Sequence, residues 1–206
     1  MSRSLDWTAL NARSPLLAAL PEPARRLARQ LELAKGARLF MSGDRPAAMY
    51  FVLSGEMHLV RHGRNGAEIV LQRARDGCLA EASLDHAAYH CDAVATAPSR
   101  VLALPMEPFR AALADEVFRA RWMAHLAREL RRVRTQAERM SLKSAEDRIL
   151  HYIALEGEDG VLRLTRSRKD WAADLGLTHE ALYRTLARMA RTGRIRLDGP
   201  LIALAD

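Results

Sequence analysis

The sequence predicts an α+β fold in three consecutive parts: a small antiparallel β-barrel of jelly-roll type, one long helix, and a small helical domain that ends in a β-hairpin. Short apolar stretches separated by glycine-containing turns fill residues 35–105, which is typical of such a barrel. A helical pattern without Gly or a further Pro runs from Pro108 to about Met140. We therefore predict domain boundaries at 1–114, 115–141 and 142–206.

Composition narrows the protein class. The 206 residues are 49% hydrophobic and 28% charged, which is a globular balance, and the net charge of +7 favours an anionic partner. The only two cysteines, Cys78 and Cys91, exclude a disulfide framework and a four-cysteine zinc or iron–sulfur site within one chain. No apolar run has the length of a signal peptide or membrane span, so we expect a cytoplasmic protein with no membrane partner.

The first part begins with a helical pattern over residues 15–34, which Pro21 and Pro23 divide into two short helices. Asn65-Gly66 is the signature of a tight hairpin between two of the strands that follow. The predicted strand stretches are Leu39–Met41, Tyr50–Leu53, Met57–Val60, Ile69–Leu71 and Val101–Leu104.

The long helix carries an apolar stripe at steps of three and four residues, close to a coiled-coil seam. Its members are Phe118, Trp122, Leu126, Leu130, Val133, Ala137 and Met140. One alternative is a helix packed on its own barrel. Because the stripe is longer than a barrel of this size can cover, we predict that these residues form the interface of a homodimer.

The last part contains the signals of a helix-turn-helix. Ser167 and Asp170 fit a capping box that starts one helix, and Gly176 permits the left-handed backbone that ends it. Thr178 is a suitable N-cap for a second helix that runs to about Arg191. Two short apolar runs around residues 198–200 then predict a hairpin, so the domain is a winged helix-turn-helix.

The exposed face of the second helix suits double-stranded DNA. Nine basic residues against three acidic ones lie between Arg163 and Arg196. Arg184 can donate to guanine O6 and N7, and Glu180 can accept from cytosine N4. His179 and Tyr183 can touch bases or phosphate. The residues predicted to hold the phosphate backbone are Arg166, Arg168, Lys169 and Arg188. An αα-hairpin of an enzyme is the competing interpretation.

This order of parts resembles the Crp/Fnr family of bacterial transcription regulators over nearly the whole chain. The stretches that match are Lys35–Asp44, Tyr50–Glu56, Ser144–Arg148 and Gly176–Leu186. The resemblance implies a homodimer on a palindromic operator and a sensory barrel that acts through the long helix. RNA polymerase is a further partner to consider. It also implies that Glu180 and Arg184 read C·G and G·C pairs within a TGA-like half-site.

The resemblance also bears on cyclic nucleotides. Glu81 matches the glutamate that binds the ribose hydroxyl in the cyclic-nucleotide members of the family. Their Arg-Ser or Arg-Thr phosphate pair instead falls near Cys91-Asp92, where an acid would repel the anion. The long helix shows Val133-Arg134 where the cyclic AMP receptor has Thr-Ser. These departures argue against cyclic AMP, and a cyclic-nucleotide-dependent regulator is kept as an alternative.

A group of metal-binding residue types lies in the same loop: Cys78, Glu81, His86, His90 and Cys91. We predict effector binding by Glu81, Cys78 and Cys91, with Cys78, His90 and Cys91 as metal ligands and His86 as a further one. The group suits copper or zinc, a haem or a small iron–sulfur centre, and a thiol pair closed by oxidation is the competing chemistry. Inert buried cysteines would leave a constitutive DNA binder.

An enzymatic function is the remaining class. A small barrel can be a cupin, but the residues around His58 and His62 lack the histidine-rich metal motif of cupin enzymes. The chain also lacks Ser/His/Asp, GxxxxGK[ST] and HExxH patterns. We therefore predict that the protein is not an enzyme.

Overall fold

A computed structural model of the chain describes residues 5–63 and 68–205. Its helices are α1 (Trp7–Arg13), α2 (Pro15–Ala18), α3 (Glu22–Leu27), α4 (Met106–Ala112), α5 (Glu116–Ser141), α6 (Ala145–Glu156), α7 (Arg168–Asp174) and α8 (His179–Arg191), with a 3-10 turn at Glu81–Ser83. Its strands are β1 (Arg29–Leu33), β2 (Arg38–Phe40), β3 (Ala48–Ser54), β4 (Met57–His62), β5 (Glu68–Ala74), β6 (Gly77–Leu79), β7 (Asp92–Ala95), β8 (Ser99–Pro105), β9 (Val161–Arg163), β10 (Ile195–Asp198) and β11 (Leu201–Leu204).

The chain divides into two compact units, Met1–Ala127 and Arg128–Asp206, and the division falls within α5. The boundary therefore assigns the first turns of the long helix to one unit and its last turns to the other. Within the described residues, no helix is long and apolar enough to cross a membrane.

The first unit is built from two four-stranded antiparallel sheets, in the orders β1-β8-β3-β6 and β2-β7-β4-β5. This is the predicted jelly-roll type of fold, although the two sheets face each other without closing into a barrel. The predicted Asn65-Gly66 turn lies outside the described residues. The strands that flank it, β4 and β5, pair antiparallel from Met57 opposite Ala74 to His62 opposite Glu68.

Strand β3 explains how the unit is layered. It is buried over six of its seven residues, because alternate side chains face two different apolar clusters. Met49 and Phe51 join a cluster formed with the helices, which we call the helix-side core. Tyr50 and Val52 join a second cluster between the two sheets, which we call the intersheet core.

The N-terminal segment corrects one prediction. The helical pattern over residues 15–34 continues only to Leu27, and β1 then pairs antiparallel with β8. The apolar periodicity counted Leu27 and Leu31 on one helix face. In the structure Leu27 is exposed, whereas Leu31 lies opposite Val101 in the sheet. Pairing with a strand seventy residues away along the chain overrides the local helical period. Helix α1, capped by Asp6, was not predicted.

The long helical stretch is interrupted once. Helix α4 ends at Ala112, and the Asp115 side chain then accepts a hydrogen bond from the Phe118 amide at 2.8 Å, which starts a new helix. The resulting α5 spans Glu116–Ser141, close to the predicted 115–141.

The second unit contains the predicted helix-turn-helix and hairpin. Helices α7 and α8 pack with α6 around an apolar core that includes Ile149, Trp171 and Leu182. Strands β10 and β11 form the predicted hairpin, and β9, which was not predicted, pairs with β11 as a third strand.

Candidate DNA-binding face and signal site

The first helix of the helix-turn-helix begins at the predicted capping box. The Ser167 hydroxyl accepts from the Asp170 amide at 3.1 Å and donates to the Asp170 carboxylate at 2.7 Å. The second helix begins in the same way, since the Thr178 hydroxyl accepts from the Ala181 amide at 3.1 Å. Both helix starts are thus fixed by side chains that the sequence identifies.

The turn between the two helices is held by an arginine that sequence reasoning missed. Gly176 has a φ of +63°, as predicted for a residue with no side chain. Arg148 of α6 donates to the carbonyl oxygens of Leu142 at 3.0 Å and Leu175 at 3.3 Å. Arg148 lies in one of the stretches that carry the family resemblance, which is the signal that could have found it.

Helix α8 has one buried face and one exposed face. Leu182, Leu186 and Met189 are fully buried against the unit's core. The side chains left exposed include the four predicted to touch bases, His179, Glu180, Tyr183 and Arg184, and the predicted phosphate contact Arg188. Because the helix is anchored by its apolar face, this polar face is presented at a fixed angle.

Charge at the start of α8 is suited to base recognition. Hydrogen bonds from its own backbone amide and from the Thr178 side chain lower the pKa of Glu180. The carboxylate is therefore ionised at neutral pH and acts only as an acceptor. Arg184, one helical turn further on the same face, is exposed and acts only as a donor.

A group of aromatic and cationic side chains connects α7, α8 and the wing, which is the hairpin of β10 and β11. The rings of His179 and Tyr183 meet edge to face at 4.6 Å, and the Arg168 guanidinium lies 5.1 Å from the Tyr183 ring centre. Arg168 also reaches the carbonyl oxygen of Gly199 in the turn between β10 and β11, at 3.5 Å. These contacts order His179, Tyr183 and Arg168 on a single face.

Two of the four predicted phosphate-binding residues are held in ion pairs. Arg166 pairs with Asp174, and Arg188 pairs with Glu146 of α6 at 3.3 Å. Lys169 is exposed on α7. The pairs fix the positions of Arg166 and Arg188 on the surface, and the assignment of all four to phosphate contacts stays a prediction.

The end of the long helix is packed on α6 and α7 by polar side chains that were not predicted. Gln136 donates to the carbonyl oxygen of Asp174 at 2.8 Å. Arg139 is only 3% exposed, lies 4.4 Å from the Tyr152 ring centre and donates to Gln136 at 2.9 Å. In the sequence Arg139 is one of many arginines in α5, so no local signal distinguishes it.

The predicted dimer stripe divides into two sections. Phe118 and Trp122 are 0% and 2% exposed, and their rings meet Phe109 of α4 edge to face at 5.7 and 4.9 Å. The assignment of these two residues to a dimer interface is therefore wrong. They complete the helix-side core, because the first turns of α5 cover the sheet.

The rest of the stripe faces outward. Leu130 and Val133 are 52% and 63% exposed, and Met123, which was not predicted, is 60% exposed. Ala137 is exposed, while Leu126 and Met140 are half-buried. Residues 123, 130 and 137 and residues 126, 133 and 140 form two series at seven-residue spacing, which is the a/d pattern of a two-stranded coiled coil.

A compact group of metal-binding side chains lies in the first unit. Glu81 accepts a hydrogen bond from Nε2 of His125 at 3.0 Å, and the ligand atoms of Cys78, Glu81 and His125 all lie within 4.8 Å of one another. Cys78 and His125 are buried and Glu81 is half-buried. Sequence reasoning named Cys78 and Glu81 but missed His125, which is forty-four residues from Glu81 along the chain.

The other predicted ligands lie elsewhere. Cys91 belongs to the intersheet core, whereas Cys78 belongs to the helix-side core. Burial raises the pKa of the Cys91 thiol, so its reactive thiolate is disfavoured. His86 and His90 are exposed, and partial burial together with the neighbouring Arg61 lowers the pKa of His90. Neither histidine belongs to a group of three possible ligands among the residues that the structure describes.

The two positions that matter for cyclic nucleotides are already engaged within the chain. Glu81 is bonded to His125. The Asp92 carboxylate, at the position that the sequence resemblance matches to the family's phosphate-binding pair, accepts from the Ser42 amide at 2.8 Å and lies 4.0 Å from Nε of Arg38. Both residues therefore form contacts within the chain, and their effect on cyclic nucleotides stays a prediction.

Comparison with known proteins identifies the family. Residues 30–116 match the family model of the cyclic nucleotide-binding domain. The cyclic AMP receptor protein of Thermus thermophilus is 31% identical over 170 residues, which cover 81% of this chain and 78% of the relative. The chain belongs to the Crp/Fnr family of transcription regulators. Its members are regulators and not enzymes, as predicted.

Other Crp/Fnr relatives agree. The nitrogen fixation regulation protein FixK of Bradyrhizobium diazoefficiens is 27% identical over 189 residues, covering 87% of this chain and 79% of the relative. The catabolite activator protein of Thermus thermophilus superposes with a TM-score of 0.51 at 26% identity, covering 93% of each chain. FixK2 from Bradyrhizobium japonicum, at 21% identity, shares the fold with a TM-score of 0.63, covering 87% of this chain and 93% of that one.

Proposed function

We propose that the protein is a cytoplasmic, homodimeric regulator that binds a palindromic DNA operator and responds to a metal or redox signal at its first unit. The observation that carries the DNA-binding part is the exposed face of α8, where an ionised acceptor and a permanent donor stand one turn apart on a helix whose start and angle are fixed.

Base reading falls to Glu180 and Arg184. The N-terminal residues of a recognition helix are those that reach base edges in the major groove. An arginine suits guanine O6 and N7, and a glutamate suits the cytosine amino group. His179 and Tyr183 add contacts that select neighbouring bases. Both are ordered by their mutual ring contact.

Backbone contacts come from the residues around the reading face. We expect Lys169 and Arg168 on α7, Arg188 on α8 and Arg166 to contact phosphates, because basic side chains around a reading face position the protein on the DNA backbone. Arg168 also bonds to the wing turn, so the wing and the first helix would approach the DNA as one surface.

Dimerisation is supported by the outward apolar series on α5. Met123, Leu130 and Val133 are each more than half exposed, and their spacing fits a parallel pair of helices. A two-fold pair of chains presents two recognition helices to successive major grooves, which lie roughly 34–36 Å apart. The operator should therefore be an inverted repeat. RNA polymerase is the further partner expected of a transcription regulator.

A signal other than cyclic AMP is supported by two contacts. Glu81 is bonded to His125, and Asp92 occupies the position of a phosphate-binding residue. Although one relative is named for cyclic AMP, this chain would have to break the Glu81–His125 bond and bring a phosphate to Asp92. A cyclic-nucleotide-dependent regulator and a constitutive DNA binder are the alternatives that the experiments below separate.

The test is selection of bound fragments from a pool of random double-stranded DNA by the full-length protein, followed by sequencing. We expect enrichment of an inverted repeat with TGA-like half-sites. Enrichment of no sequence over several rounds would contradict sequence-specific binding, and enrichment of a single unrepeated site would contradict binding as a symmetric dimer.

A further inference from the structure

We propose that Cys78, Glu81 and His125 form a mononuclear site for a divalent ion of the zinc class. The residues come from strand β6, from the 3-10 turn after it and from α5, all within the first unit. The regulatory part of this inference rests on the proposed function, whereas binding of the ion does not.

The geometry is close to that of a tetrahedral centre. Zinc bonds to nitrogen and oxygen are about 2.0–2.2 Å, so two such ligand atoms of a tetrahedral site lie roughly 3.3–3.5 Å apart. Glu81 Oε1 and His125 Nε2 are 3.0 Å apart. A thiolate sulfur and a nitrogen of a tetrahedral zinc site lie roughly 3.5–3.6 Å apart. Since all three ligand atoms lie within 4.8 Å of one another, the Cys78 sulfur needs to move by about 1.3 Å at most to complete the set.

Charge selects the class of ion. A thiolate and a carboxylate carry two negative charges and the histidine is neutral, so a divalent cation gives a site of zero net charge. A neutral site suits the burial of Cys78 and His125, because an unbalanced buried charge is strongly disfavoured. Copper(I) would leave one excess negative charge, and its preference for soft ligands does not favour a carboxylate.

Binding has a definite proton balance. The Cys78 thiol loses its proton to solvent when the sulfur becomes a ligand. The proton that Nε2 of His125 now donates to Glu81 passes through solvent to Nδ1, so the imidazole stays neutral and Nε2 is free to bind the ion. One proton is therefore released for each ion bound. Three protein ligands leave a fourth position of the ion for a water molecule or a small ligand.

The site connects to the dimer helix through His125. His125 follows Trp122, whose ring is packed in the helix-side core and lies 5.3 Å from the His125 ring. The exposed residue Met123 lies between them in the sequence and begins the outward apolar series. An ion that pulls His125 towards Cys78 would therefore act on the segment of α5 where the buried residues of the helix-side core end and the outward apolar series begins.

The experiment uses cobalt(II) as the spectroscopic probe on the full-length protein, purified without air and treated with a chelator. We expect one cobalt per chain and a near-ultraviolet charge-transfer band from thiolate to metal, both abolished by an equivalent of zinc. Cys78→Ser should lose the band, and His125→Gln and Glu81→Gln should weaken cobalt binding at least tenfold. Cys91→Ser is the matched control, because it removes the other buried thiol, and it should keep the band.

Two outcomes would overturn the site: no thiolate band in the natural protein, or a band that survives Cys78→Ser and disappears in Cys91→Ser. Thermal unfolding with and without zinc requires no variant, and zinc should raise the Tm of the natural protein and of Cys91→Ser equally. DNA binding by the metal-free protein is measured separately. Protein that binds cobalt but no DNA contradicts the proposed function alone, and protein that binds DNA but no cobalt contradicts the site alone.

Discussion

The face of α8 and the cluster around Cys78 differ in how their parts are brought together. The residues of α8 that are predicted to touch bases all lie in the six positions from His179 to Arg184. The helix has a capped start and is anchored by its apolar face. The cluster takes its third member, His125, from a helix forty-four residues beyond Glu81. The first site is exposed and local, whereas the second is largely buried and depends on the packing of α5.

The difference teaches how each site can change in evolution. A substitution on the exposed face of α8 should alter the proposed DNA recognition without disturbing the core. Cys78 belongs to the helix-side core, and the His125 ring lies 5.3 Å from that of Trp122 in the same core. A substitution at either residue therefore changes both a candidate ligand and the packing around it. We therefore expect operator preference and signal response to be separable by mutation, and four predictions test that separation.

The largest effect is expected at the dimer face, which joins the two functions. Val133→Glu places like charges opposite each other in a paired helix and should give a monomer whose operator affinity is about a hundredfold lower, since the second half-site no longer adds to binding. Sedimentation and DNA titration measure the two effects. Ala124→Glu is the control, because it makes the same charge change at another exposed position of α5. A Val133→Glu protein that stays dimeric would contradict a dimer interface at this face of α5.

Substitution of one glycine in each unit tests how the space around the residue affects stability. Gly55 has a φ of +85°, and a Cβ there would lie 2.4 Å from the Pro98 carbonyl oxygen, so Gly55→Ala should lower the free energy of unfolding by about 3 kcal/mol. Gly193 has a φ of +71° with open space around it, so Gly193→Ala should lower it by only about 1 kcal/mol. Denaturant titration checks both, and equal losses would contradict the steric argument.

The third effect is on base reading. Arg184→Ala should cost about 1–3 kcal/mol per half-site and relax the preference at one base pair, because a bidentate guanine contact is lost. Lys169→Ala should weaken binding to operator and random DNA alike and reduce the salt dependence by about one counterion. Titrations at several salt concentrations distinguish them. Equal loss on random DNA in Arg184→Ala would make Arg184 a phosphate contact.

The smallest effect is expected from cyclic AMP. Because Glu81 is bonded to His125 and Asp92 stands at the phosphate position, saturating cyclic AMP should change operator affinity by less than about twofold. Calorimetry of the nucleotide with the full chain and DNA titration in its presence provide the measurement. A larger increase in affinity would favour the cyclic-nucleotide-dependent alternative.

The local structure of the second unit was predicted from the sequence more accurately than that of the first. Ser167, Gly176 and Thr178 are local signals, since each acts on residues within three or four positions, and the structure confirms all three. Strand β1 was read as helix, because its partner β8 is distant in the sequence.

The same limit explains the errors at the functional sites. Phe118 and Trp122 share the period of the dimer stripe, and only the packed fold shows that they face Phe109. His125 and Arg148 act through contacts with residues that are far apart along the chain. Spacing in one helix shows which residues share a face, but it does not show what covers that face.

The most direct test of the central claim, that two chains read one operator through paired α8 helices, is a comparison of the natural protein's affinity for the selected inverted repeat and for one half-site in DNA of the same length. Fluorescence anisotropy at one salt concentration measures both. We predict binding to the inverted repeat that is at least about a hundredfold tighter, with two chains per DNA. Equal affinity for the two DNAs, with one chain bound to each, would contradict the account.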